Sequence, residues 1–169
     1  MAMQNTMTAK KISGFWTFLG CVLITLGAGT LCGYLSGAMN GYEGINVPAF
    51  APPDWVFSVA WTVLYIMMGA ALYLIITYPP ITRTEYFIKT AAIILWGVQF
   101  ALNLLWPFIF FNIDYTIAFV INAAMVAFVT SLVTLGFFIR PLSSVLLLPY
   151  WGWLLFSTYE TIMIIILNA

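Results

Sequence analysis

Of 169 residues, 64% are hydrophobic and 6% charged, with five basic side chains, five acidic ones and no histidine. A soluble domain carries roughly a quarter charged residues, so a water-soluble globular fold is excluded. Zero net charge gives no footing for nucleic acid. The missing imidazole removes the commonest metal ligand and general base, which argues against a permanently His-ligated haem.

The ten charges mark out uncharged runs at 12–42, 55–82, 90–113, 115–139 and 141–159, of 31, 28, 24, 25 and 19 residues. A membrane-crossing helix needs about 20 residues. In lipid every backbone polar group must be satisfied internally, so an all-α integral membrane bundle of five transmembrane helices is expected. The polar residues 1–11 are expected to form a disordered cytoplasmic N-terminus, with 12–169 as one membrane domain. A cleaved signal peptide fits poorly, because the first apolar run is too long and lacks a small-residue cleavage site.

The first helix is predicted over Ile12 to Met39, with Gly29, Gly33, Gly37 and Gly41 at four-residue spacing. Small residues at that interval allow helices to approach closely, within the chain or across a dimer seam. Cys21 and Cys32 lie about 16 Å apart along that helix, beyond disulfide reach. They read as apolar fillers. A long Gly- and Pro-rich loop covers 40–53. The second helix is predicted over Asp54 to Tyr78, followed by Pro79-Pro80, with Asp54 suited to its positive N-terminal end. The third runs Glu85 to Trp106 and is stopped by Pro107. The fourth spans Ile113 to Phe138, and the fifth begins at Pro141 and runs to about Leu167, kinked at Pro149.

All five basic residues fall on one side of this arrangement: Lys10 and Lys11, Arg83 and Lys89, and Arg140. Glu43, Asp54 and Asp114 occupy the opposite loops. The positive-inside rule then puts the N-terminus in the cytoplasm. That asymmetry favours an inner membrane.

Residues 48–65, PAFAPPDWVFSVAWTVLY, are the most informative stretch. A loop clamped by Pro48, Pro52 and Pro53 feeds a helix on which Trp61 and Tyr65 share a face. On the third helix Gln99, Asn103 and Trp106 share another, and Trp153, Ser157 and Glu160 repeat the spacing on the fifth, with Tyr150 a turn earlier. Rings mixed with a few polar groups are what a ligand cavity requires. The competing reading is interhelical hydrogen bonding by the amides. Glu160 stands out as an ionisable residue far from a predicted loop. It reads either as a functional intramembrane carboxylate or as a side chain reaching the headgroup layer. A metal cluster, a nucleophile–base pair and a phosphate loop are all absent from the sequence. A single buried carboxylate gives weak support to proton-coupled transport.

Three segments together resemble the TspO/MBR family of tryptophan-rich sensory proteins and peripheral benzodiazepine receptors. They are Tyr42 through Tyr65, Gln99-x-x-Leu-Asn103-x-x-Trp106 with Phe110-Phe111, and Pro149-Tyr150-x-x-Trp153-x-x-Phe156. The resemblance covers roughly residues 14–168. It implies a five-helix bundle whose first loop caps a pocket open toward one leaflet. Porphyrins such as protoporphyrin IX and haem are the implied ligands, with benzodiazepine-type drugs and, in mitochondria, cholesterol. Carried over by position, the ligand-binding residues are Tyr42, Pro48, Trp61, Tyr65, Asn103, Trp106, Trp153 and Ser157. No obligatory cofactor and no metal site are implied; porphyrin enters as ligand, and a homodimer is the usual assembly. Some bacterial members are reported to promote light-dependent porphyrin breakdown, which here points to Trp61 and Trp153. Some members reside in outer membranes.

The chain departs from that pattern where Phe50 stands in place of a frequent Trp. Glu160-Thr161 also replaces the usual Leu-Asn. No Lys or Arg follows Tyr159, so the C-terminal sterol-recognition pattern is missing and sterol transport is in doubt.

Overall fold

The structure, a computed structural model, describes residues 2–169, the side chains of residues 2–13, Asn40 and Asp54 excepted. It consists of five helices: α1 (Ala2–Leu35), α2 (Asp54–Ile76), α3 (Arg83–Asn112), α4 (Tyr115–Ile139) and α5 (Pro141–Leu167). Each contains a stretch long and apolar enough to cross a membrane, which in α1 is Gly14–Leu35. The five-span, all-α reading therefore stands. The disorder expected over residues 1–11 falls on residues whose side chains lie outside those described.

Local chemistry sets the helix ends. After α1 the chain turns through Gly37 at φ 81° and a single 3₁₀ turn, Ala38–Asn40, closed by Gly41 at φ 67°. Positive φ is cheap only for glycine, so these two members of the predicted glycine series serve the turn instead of helix packing. Thr82 caps α3 and Glu85 reaches back in a reciprocal capping box. Asp114 accepts from the Ile117 N–H at 2.9 Å and starts α4. Pro141 occupies the first turn of α5, where a missing N–H is harmless.

Pro107 corrects the sequence reading. It does not stop α3 but lies inside it, and the helix continues through Asn112, more than a full turn further. Pro107 cannot donate to the Asn103 carbonyl, yet membrane helices tolerate such breaks where neighbouring elements surround them. Pro149 likewise lies within α5.

Around the bundle the neighbours run α1, α2, α5, α4, α3, and α3 closes back onto α1 and α2. The core concentrates in the half nearer the basic residues, where Met68, Ala71, Ile75, Leu132 and Leu147 are fully buried. Two glycines make this half tight. A Cβ on Gly69 would sit 2.6 Å from Thr25 Oγ1 and 2.7 Å from Val22 Cα, and one on Gly136 would collide with Ser144 Oγ. Thr25 also donates to the Tyr65 carbonyl at 2.9 Å, linking α1 to α2.

Candidate pocket beneath the first loop

Toward the loop end α1 and α2 part above Gly29, where an added Cβ would collide with the Tyr65 ring. The gap is a cavity of about 390 Å³, near the small end of the roughly 300–1,000 Å³ common for ligand sites. Trp61, Tyr65, Trp106, Phe57 and Phe111 supply its rings, and Asn103, Thr30, Ser58 and Thr62 its polar groups. The turn after α1 roofs it with Ala38, Met39, Gly41 and Tyr42. Trp55, 68% exposed, stands at its mouth.

Five of the eight residues expected to bind ligand meet in this cavity: Tyr42, Trp61, Tyr65, Asn103 and Trp106. Trp61 and Tyr65 stack with centroids 5.3 Å apart at 29°, so they present one continuous aromatic wall. The Tyr65 hydroxyl donates to Asn103 Oδ1 at 3.0 Å, Asn103 Nδ2 donates to Tyr150 Oη at 3.1 Å, and Tyr150 donates to Gln99 Oε1 at 3.0 Å. This chain answers the question left open for the amides. Gln99 and Asn103 bind α2, α3 and α5 together, and Asn103 in addition faces the cavity. Trp106 donates its indole N–H to the Ala118 carbonyl on α4 at 3.1 Å and stacks on Phe110.

The other three lie elsewhere. Trp153 stands edge-on behind Trp61 at 6.3 Å and against Phe57 at 5.4 Å, with its Nε1 enclosed and unpartnered. Ser157 is buried on the next turn of α5. Pro48 is buried in the loop, where its carbonyl accepts from the Ala51 N–H at 2.9 Å. Neither indole 61 nor indole 153 is turned out to the acyl chains.

The loop is fastened at both ends. Asn112 Nδ2 donates to the Ser36 carbonyl at 3.0 Å. Asn46 N–H donates to Asn168 Oδ1 at 3.0 Å, and Asn168 Nδ2 returns a bond to the Asn46 carbonyl at 2.9 Å. Beyond Asn46, Phe50 stacks on Tyr159 of α5 at 5.0 Å. Glu160 does not reach outward: it is 3% exposed and turned into the bundle.

Sequence reasoning missed the α1 wall of the cavity, Gly29, Thr30 and Gly33, together with Ser58 and Thr62. The glycine spacing was the available signal. Gly33 meets open space where a Cβ would be, so its smallness leaves room. Cys21 and Cys32 are both free thiols, as the spacing requires.

The fold and the pocket together define a multi-span α-helical membrane protein with an aromatic cavity under its first loop. Residues 21–167 match the model of the TspO/MBR family, and the chain belongs to that family. It is similar to a protein from Archaeoglobus fulgidus named tryptophan-rich protein TspO, 30% identical over 76% of this chain and 80% of that one. Human translocator protein is 32% identical over 71% of this chain and 70% of its own. The tryptophan-rich sensory protein of Cereibacter sphaeroides is 29% identical over 82% and 83%.

Proposed function

We propose that this chain is a membrane receptor or carrier for porphyrins, protoporphyrin IX and haem among them, and for related planar hydrophobic molecules, with a sensory or regulatory role. The observation that carries the reading is the cavity of about 390 Å³ walled by the Trp61–Tyr65 stack and Trp106. Flat apolar rings gain both burial and offset stacking there, while Asn103, Thr30 and Thr62 orient polar edges. With no histidine in the chain, haem binds without an imidazole–iron bond. The names of the relatives, sensory protein and translocator protein, agree with a sensing or carrier role.

Topology in this reading has the N-terminus and the basic end in the cytoplasm, in an inner membrane. Pairing into a homodimer is supported by α1, which exposes Leu23, Ile24 and Leu31 beside Gly20 and Gly27, where an added Cβ would meet no other element among the described residues.

Titrating purified protein with protoporphyrin IX, followed by tryptophan fluorescence, tests the reading. Saturable quenching is expected, with affinity lowered in the Trp61→Ala, Trp153→Ala double variant. Unchanged affinity in that variant would remove the pocket from the account. A second reading, light-dependent porphyrin breakdown, draws on the edge-on Trp61–Trp153 pair at 6.3 Å beside the cavity. It requires product to form under light and oxygen, and more slowly in Trp61→Phe.

A further inference from the structure

Among the described residues Glu160 is the one buried carboxylate, seven residues and therefore about 10 Å beyond Trp153 along α5. Its Oε1 is enclosed and has no hydrogen-bond partner. The carboxyl group does engage the side chain of Tyr42, whose hydroxyl donates to it. No cationic side chain among the described residues lies against it. A buried carboxyl with an unused acceptor costs free energy, and membrane interiors retain such groups where they meet a partner.

Tyr42 connects this group to the pocket. Its ring lines the cavity, packs edge-on against Phe57 at 5.3 Å and against Phe110 at 6.4 Å, and its hydroxyl points to Glu160. Tyr42 is therefore shared between the aromatic cavity, which its ring lines, and the Glu160 carboxyl group, which keeps an unsatisfied acceptor.

We infer that Tyr42 and Glu160 form an inner subsite of the cavity that selects planar aromatic ligands carrying an N–H or ammonium donor. The inference rests on the pocket reading above and adds the chemical class of ligand. An incoming donor meets Oε1 directly or takes the place of the Tyr42 hydroxyl. Charge-assisted hydrogen bonds are stronger than neutral ones, so such a ligand gains what an otherwise identical ring without the donor cannot. A ligand's own carboxylates are repelled from this end. The propionate edge of a porphyrin accordingly faces the mouth at Trp55.

The test compares 9-aminoacridine with acridine, one ring system with and without the donor, by isothermal titration of the full chain in nanodiscs at pH 8. The wild type is expected to bind the amine on the order of ten-fold more tightly. Glu160→Leu reduces that ratio to within about two-fold by weakening the amine alone. Tyr42→Phe, which removes the competing hydroxyl, holds or raises it. A merely structural role for the pair would move both variants in the same direction and both ligands equally, which overturns the inference. A wild-type ratio near one, with protoporphyrin IX still bound, overturns the inference and leaves the pocket intact. Binding of none of the three overturns both.

Discussion

The two halves of the bundle use glycine in opposite ways. Near the basic end Gly69 and Gly136 bring backbones so close that a methyl group would collide with Thr25 or Ser144, and the surrounding core is fully buried. Near the loop end Gly33 faces empty space and helps make a cavity. Gly29 marks the boundary, with its hydrogen side against the Tyr65 ring. One half is a rigid base in which small residues serve contact. In the other, the same residue leaves volume for a guest.

Breaking the base has the largest expected effect. Gly69→Leu forces α1 and α2 apart and lowers stability by about 3 kcal/mol, read by thermal unfolding in detergent. Gly33→Leu is the matching probe of the other half. It leaves stability within about 0.5 kcal/mol while filling the cavity and weakening protoporphyrin binding. Equal destabilisation by the two substitutions would erase the distinction.

Within the pocket half, Trp61→Ala removes one face of the aromatic wall. It is expected to weaken protoporphyrin IX on the order of ten-fold in a fluorescence titration. Asn103→Leu takes away the acceptor of the Tyr65 hydroxyl and one donor to Tyr150 Oη, which keeps its bond to Gln99. Interhelical hydrogen bonds of this kind contribute around 1 kcal/mol, to be seen as a modest drop in unfolding temperature. The smallest effect belongs to the loop clasp. Asn168→Ala removes the reciprocal bonds to Asn46, costs about 0.5 kcal/mol, and speeds ligand exchange in stopped-flow measurements.

The fold was legible because charges punctuate the chain: each of the five apolar stretches between them became a helix. Pro107 misled because the rule that proline ends helices comes from water, where a freed carbonyl finds a solvent partner. The aromatic motif was legible on α2 and α3, where Trp61, Tyr65, Asn103 and Trp106 carry bulky or polar groups at helical spacing. The α1 wall was not, since Gly29, Thr30 and Gly33 offer neither ring nor charge. Their contribution is space, and space depends on how two helices diverge. Trp153 and Ser157 share the right face of α5, yet Trp61 and Phe57 stand between that face and the cavity. The depth of Glu160 was open from rise per residue alone; the side chain's direction resolved it.

The account turns on where the guest sits, so the decisive measurement is a structure of the purified protein with protoporphyrin IX bound. The account predicts the macrocycle between α1 and α2, against Trp61 and over Gly33, with its carboxylates toward Trp55. A macrocycle lodged between α2 and α5 beside Trp153, or on the outer face of the bundle, would contradict it.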